Sequence, residues 1–372
     1  MVEASIAGLG TELPHRITTE RFLELDDRAR ALQGQGVGTR DMVRQFALGS
    51  GIRFRHAVEP MWLPEAERAG LEDIFTPHNY VPPSYLRARR WMKEAPRLAV
   101  AAARKALADW GGPASDITHV VTTSTSGWSE PGISAALIHE LGLSLDTQKQ
   151  ELNFNGCFAG MTCLRLGRDL MRAGDAKAVL VCAVETPSIQ YDCTITDLSQ
   201  LVASSLFADG AAAFVLAPEG KWTFEKTGMS LVPGSEQALR MSPDLETESA
   251  TYRMFLDRAV PARLAEFFRR ERGRELLNLI MQASGAEAPS LAVHPGGPSI
   301  LEGVNRVFVE RGWPSDALEH SMSTLYDTGN LGAAALMFVL ARLLPEAETE
   351  RVATFAFGPG VTVEWGLLRR NA

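Results

Sequence analysis

Few features of this sequence point to an extracellular or membrane setting. Its four cysteines, Cys157, Cys163, Cys182 and Cys193, show no paired CxxC spacing. Neither a disulfide framework nor a zinc site is expected, and reduced thiols are the default. No apolar run is long enough to span a bilayer, and the opening MVEASIAGLGTELPHRI lacks the basic start, apolar core and cleavage site of a secretory signal. A cytoplasmic protein without membrane attachment is therefore expected. An excess of cations is missing too. The formal net charge of -8 argues against general nucleic-acid binding, while a local basic patch could still attract an anionic ligand. Low-complexity tracts and short tandem repeats are also absent.

What remains is a chain of 372 residues with 45% hydrophobic content, enough for one large two-lobed domain or two fused domains. Short apolar runs, ITHVVTTS, AKAVLVCAVE, AAAFVLA, SLAVHPG and RVATFAFG, alternate with helical patterns. Such runs suit strands buried on both faces, and the alternation predicts α/β layers. After Cys157 a helix is predicted, with Arg165, Arg168, Asp169 and Arg172 on one stripe and Met161, Leu164, Leu170 and Met171 elsewhere; Gly174 stops it. Pro298 opens another helix, with Ile300, Leu301, Val304, Val307 and Phe308 on its apolar face. LGAAALMFVLARLL, residues 331–344, is apolar almost all round and should be a helix buried between layers. The stretch 59–85, rich in proline and aromatics, reads as an irregular insertion: a lid, a subunit contact or a plain surface loop. A polar stretch around 234–252 is taken to separate two lobes that divide near residue 225.

Three polar residues stand at the heads of such helices. Cys157, in NGCFAG, sits at a strand-to-helix turn, where unpaired backbone N–H groups would stabilise a thiolate and could hold a developing oxyanion. A small buried core cysteine is the plain alternative. His294, in AVHPGGPSIL, follows an apolar strand and precedes the helix opened by Pro298, a place from which a side chain can project into a site at the sheet's end; alone it could equally be structural. Asn330, in YDTGNLGAAAL, opens the apolar helix and could simply cap it.

GCFAG, AVHPGGPSIL, GNLGAAALMFVL and FGPGVTVEWGLL together resemble, in order, four signature regions of the chalcone synthase-like type III polyketide synthases. The likeness runs on through LGTELP, the long segment LRARRWMKEAPRLAVAAARKALADWGGPASDITHVV, TSGWSEPG and LFADGAAAFVL, so it covers most of the chain. It implies a thiolase fold, five layers in αβαβα order with two pseudo-duplicated halves, here residues 1–224 carrying the cysteine and 225–372 carrying the histidine and asparagine. A homodimer is implied as well. The implied activity is decarboxylative condensation of an acyl-CoA starter with malonyl-CoA or a related extender, followed by release or cyclisation. No metal or permanently bound cofactor is implied; coenzyme A thioesters are the substrates, and an acyl carrier protein is a further candidate donor.

Residue by residue, the resemblance gives Cys157 the role of nucleophile holding the chain as a thioester. His294 pairs with its thiolate, and His294 with Asn330 donates hydrogen bonds to the thioester oxygen as malonyl-CoA becomes an enolate. Phe207 matches a gatekeeper phenylalanine, and Met254 stands where the second one is usual, leaving room for a different starter. Thr125, Ser126, Pro187, Gln190 and Gly332 match cavity positions, and Gly332 would enlarge that space. Glu130 replaces a methionine that in the plant enzymes reaches into the partner's site; a carboxylate there needs solvent or a partner. Phe357, Gly358, Pro359 and Gly360 are expected in the wall that guides cyclisation. For the coenzyme A phosphates the candidates are Arg40, Arg44, Arg53 and Arg55, the last two sharing a face if extended, with the backbone at Ser299 against the pantetheine.

Three rivals use part of this equipment. A fatty-acid-initiation condensing enzyme shares Cys, His and Asn but stops after one condensation. A thiol hydrolase would release free acid, and a non-catalytic acyl-binding subunit should lack one of the three groups.

Overall fold

A computed structural model describes residues 2–68, 70–75, 81–243 and 252–371, with Pro243 given by its backbone alone. The chain begins with strands β1 (Ser5–Glu12) and β2 (His15–Thr18), then helices α1 (Thr19–Leu32) and α2 (Val37–Gly49) and strand β3 (Phe54–Ala57). The Thr18 hydroxyl caps α1 by accepting from the Arg21 N–H, satisfying one of the donors a helix start leaves open. There follow α3 (Ser84–Trp110), β4 (Ile117–Thr123), α4 (Ile133–Glu140), β5 (Gln148–Glu151), α5 (Ala159–Ala173), β6 (Ala178–Glu185), α6 (Leu198–Leu206), β7 (Gly210–Ala217) and β8 (Trp222–Leu231). The remainder holds β9 (Leu239–Pro243), β10 (Tyr252–Leu256), α7 (Val260–Arg269), α8 (Glu271–Ser284), β11 (Ser290–Val293), α9 (Pro298–Glu310), α10 (Glu319–Thr328), α11 (Ala335–Glu346), β12 (Arg351–Gly358) and β13 (Thr362–Arg370).

The strands form a sheet in the order β11-β12-β13-β8-β1-β7-β6-β4-β5, which reads as one pattern used twice. In the first half β4 runs parallel to β6, β6 antiparallel to β7 and β7 antiparallel to β1. In the second, β11 runs parallel to β12, β12 antiparallel to β13 and β13 antiparallel to β8. The halves join where β1 meets β8, at Ser5–Thr223 and Ile6–Trp222. Three apolar clusters separate the layers. One lies between α3 and the first half of the sheet, a central one surrounds α5 and α11, and one lies under α7, α8 and α9. This is the αβαβα arrangement of the thiolase fold.

The five apolar runs become β4, β6, β7, β11 and β12 because helices cover both faces of these strands; every residue of β6 and β7 is buried. α5 ends at Gly174 in the left-handed conformation (φ 85°). α9 starts at Pro298, and 331–344 becomes a short 3-10 turn at Gly332–Ala334 followed by α11, whose residues Ala335 to Leu340 are all buried. Two expectations change. The polar stretch 234–252 does not separate lobes: its described parts pair as the hairpin β9–β10, while β8 crosses residue 225 unbroken, and 244–251 lie outside the described residues. The start of the insertion 59–85 is not a surface loop either, since Glu59, Met61, Trp62 and Leu63 are buried. Residues 69 and 76–80 lie outside the described part.

Candidate active site

Cys157 lies between β5 and α5, one residue before the helix cap at Phe158, and is only partly buried. Gly156 turns the chain with φ 91°, and a methyl group on it would come within 2.3 Å of Pro359 Cδ. A methyl on Gly358 would fall 2.6 Å from the Phe158 ring and 3.2 Å from the Cys157 nitrogen. Glycine at both places lets the end of β12 press against the cysteine turn. Gly160 has the same function in the first turn of α5, where any β-carbon would lie 2.2 Å from the Ala333 carbonyl oxygen. The head of α5 therefore meets the head of α11.

Asn330 is fastened on that second side. Its backbone N–H donates to the Leu206 carbonyl (2.8 Å) and its carbonyl accepts from the Ala208 N–H (3.0 Å), a parallel bridge that sets it beside Phe207. Its side-chain oxygen accepts from the Gly332 N–H at 3.0 Å, and its amide nitrogen donates to the Gly296 carbonyl at 3.2 Å. Gly296 in turn lies against the His294 ring, since a β-carbon there would be 3.3 Å from Cδ2 and Nε2. His294 follows β11, is 2% exposed, and its Nδ1 has no protein partner among the described residues. Burial drives this imidazole down to about 4.

A cavity of about 180 Å³ opens in front of the cysteine. Cys157, Thr125, Ser126, Pro187, Gln190, Phe207, Met254 and Gly332 all line it. His294 and Asn330 stand behind the lining, connected to it through Gly332 and Phe207. Gly332 has φ 54°, and a side chain there would press on Glu185 Cγ at 2.9 Å, so glycine lets this turn pack directly against Glu185. The β9–β10 hairpin contributes Met241, Tyr252 and Met254, and the former insertion contributes Trp62.

Several expected positions lie elsewhere. Phe357 belongs to the outer core, its ring 6.3 Å from Phe268. Gly358 and Pro359 brace the cysteine turn rather than line the cavity, and Gly360 is likewise outside the lining. Glu130 is exposed and apart from the cavity of its own chain. Arg53 and Arg55 do not form one cluster: β3 begins only at Phe54, and the two differ in cover. Arg53 is exposed and ion-paired with Asp327, whereas Arg55 is buried and lines the cavity, because the inward face of β3 carries it between α1 and α6. Arg40 pairs with Asp27 at 3.3 Å, Arg44 is exposed on α2, and Ser299 is exposed in the first turn of α9.

Sequence reasoning did not single out Glu185. It ends β6, is 3% exposed, and accepts from the N–H groups of Thr125 (3.1 Å), Ser126 (3.0 Å) and Ala333 (3.4 Å), tying the first half's cavity wall to the head of α11. A single carboxylate closing an otherwise apolar strand was the available signal. Burial raises it to about 7 against those hydrogen bonds. The thiol does not follow the helix-dipole expectation: enclosure, and then the Glu185 charge, push Cys157 up to about 12.

This geometry can be set beside known proteins. Family models for the N-terminal and C-terminal domains of chalcone and stilbene synthases match residues 79–219 and 226–371. A bisdemethoxycurcumin synthase of Oryza sativa subsp. japonica is 33% identical over 300 residues, covering 74% of this chain and 71% of that protein. PKS-I of the brown alga Ectocarpus siliculosus superposes with a TM-score of 0.88 at 24% identity, over 100% of this chain and 99% of the other. The C-terminal type III polyketide synthase domain of Steely1, a type I/III hybrid from Dictyostelium, gives 0.83 at 25% identity, over all of both chains.

Proposed function

The chain belongs to the chalcone and stilbene synthase family of type III polyketide synthases, and from that premise we propose that Cys157, His294 and Asn330 carry the reaction. As a member it is an acyltransferase that condenses an acyl-CoA starter with malonyl-CoA by decarboxylation, using coenzyme A thioesters and no permanently bound cofactor. Among the described residues no helix is long and apolar enough to cross a membrane.

In this reading the neutral His294 accepts the thiol proton as Cys157 attacks the starter's thioester carbonyl, and coenzyme A leaves as its thiol. An extender then occupies the same space. His294 and the amide of Asn330 donate to its thioester oxygen, stabilising the enolate formed as carbon dioxide leaves. The enolate carbon attacks the acyl carbonyl, the bond to the Cys157 sulfur breaks and frees that sulfur, and the chain, two carbons longer, stands on the extender's coenzyme A, from which Cys157 takes it back for another round. The supporting observation is the meeting of the heads of α5 and α11 at Gly160 and Ala333, with Cys157 on the cavity side and Asn330 anchored to Gly296 and Gly332 behind it.

Phe207, Met254, Thr125, Ser126, Pro187, Gln190 and Gly332 shape the chain's space, and Arg44, Arg53 and the backbone at Ser299 are the candidate coenzyme A contacts. A homodimer would let the exposed Glu130 serve the partner's cavity. The deciding experiment incubates the protein with short, aromatic and long acyl-CoAs plus malonyl-CoA and reads enzyme-bound and released masses. Products longer than the starter by more than one two-carbon unit are expected. Free starter acid with no new carbon–carbon bond would refute the reading.

A further inference from the structure

The wall of the cavity around α1 and β3 contains a cation that the condensation chemistry does not use. Arg55 is 4% exposed and lines the cavity, yet no carboxylate pairs with it among the described residues. Its protein contacts are weak ones: Nη1 donates to the Ser204 carbonyl at 3.4 Å, and the guanidinium lies 3.9 Å from the centre of the Phe22 ring. Its Nε and Nη2 have no hydrogen-bond partner among the described residues. A cation over an aromatic face is partly compensated, but two unused, desolvated N–H donors on a charged group are costly unless something accepts from them.

The neighbouring acids are engaged elsewhere. Asp26 accepts from Arg30 Nε at 3.0 and 2.9 Å and from the Tyr191 hydroxyl at 2.8 Å. Asp192 accepts from the N–H and hydroxyl of Thr194 at 2.8 and 2.6 Å. Arg30, 0% exposed and also lining the cavity, is neutralised by Asp26 and keeps one free nitrogen, Nη2. Around these groups stand Phe22, Trp62 and Tyr191, rings in contact at 5.3 Å and 4.8 Å. The wall thus sets among its aromatic rings a few polar groups, of which the Arg55 guanidinium feels Asp26 only at a distance and has no carboxylate in contact among the described residues, the pattern that fixes a ligand's orientation.

We propose that Arg55 selects an acyl chain bearing a carboxylate at the end remote from the thioester, which rests on the polyketide-synthase reading above. A planar guanidinium with two adjacent free N–H donors matches a carboxylate's two oxygens. The extender's own carboxylate is a poor occupant, because a guanidinium bound to it would hold on the carboxylate the charge that must pass into the enolate as neutral carbon dioxide leaves. No bond is made or broken at Arg55; its role is to position.

The test uses the intact protein and two matched series of acyl-CoAs: mono-CoA thioesters of straight-chain dicarboxylic acids, and chains of equal length ending in methyl. Loading of Cys157 is followed by intact mass. At the best-fitting length the carboxylate-ended chain should load with a kcat/KM about tenfold or more above its methyl-ended counterpart, as expected for a charge-assisted pair. Arg55→Met should bring that ratio to near one by slowing the carboxylate-ended series alone, and Arg55→Lys should retain part of it. A wild-type ratio of one or below at every length overturns the assignment while leaving chain extension intact, and so does a preference that survives in Arg55→Met. If neither series loads at Cys157, both this proposal and the reading beneath it fall.

Discussion

The two halves of the sheet share one strand pattern but divide the chemistry unequally. Cys157 precedes α5, the helix leading into β6, and Asn330 precedes α11, the helix leading into β12. The same turn of the duplicated unit thus carries a thiol, the nucleophile proposed above, in one half and a neutral amide in the other. The helices behind them differ accordingly. α11 is buried on every side from Ala335 to Leu340 and turns polar only beyond it, at Arg342 and Glu346, whereas α5 keeps a polar stripe whose Arg165 reaches Glu364 at 2.7 Å and whose Arg168 reaches Thr227 at 2.9 Å, both on strands of the other half. Glu364 is fully buried, so Arg165 supplies the charge that its burial demands. The lesson is that duplication supplies two helix heads facing one another, and the residues placed there decide which acts and which assists.

Substitutions at the two heads would break this division. The largest effect is expected from Cys157→Ala, which should abolish acyl loading, read as loss of the mass increase on the intact protein. A protein still acylated elsewhere at the wild-type rate would move the nucleophile out of the first half. Next, Asn330→Ala should slow malonyl-CoA decarboxylation by roughly a hundredfold or more while loading falls far less; carbon dioxide release and acyl mass measured on the same sample separate the two. Equal loss of both would make Asn330 a support for Gly332 and Gly296 rather than a donor to the enolate. The smallest effect concerns the carboxylate between the heads. Glu185 opposes the thiolate by its charge, so Glu185→Gln should lower the Cys157 pKa, shifting the pH profile of alkylation at that residue down by about one unit. An unchanged profile would leave enclosure as the sole cause of the raised thiol.

How readable each part was from the sequence follows its physics. Strands covered on both faces appear as continuous apolar runs, so β4, β6, β7, β11 and β12 were visible. β8, with a half-exposed run of alternating residues from Glu225 to Leu231, and the β9–β10 hairpin carry no such signal, and the hairpin passed for a separator. Gly174 and Pro298 mark helix ends by local backbone preference and could be read without any tertiary information. Glu185 was overlooked because its importance lies in three N–H groups, at Thr125, Ser126 and Ala333, all of them far away in the chain. The paired placement of Arg53 and Arg55 failed for a related reason: alternation predicts which way a strand residue points, not whether another layer covers it.

The sequence by itself determined the layered class, the helix heads bearing Cys157, His294 and Asn330, and through its motifs the family and its thioester chemistry. These depend on local backbone preferences and on short stretches whose meaning survives out of context. Only the tertiary structure decided that enclosure pushes the thiol up and the imidazole down, that Gly358 and Pro359 brace a turn instead of walling a cavity, and that no carboxylate contacts Arg55 among the described residues. Desolvation and charge pairing depend on what other segments bring to within a few ångströms, and that proximity is a property of the packed layers.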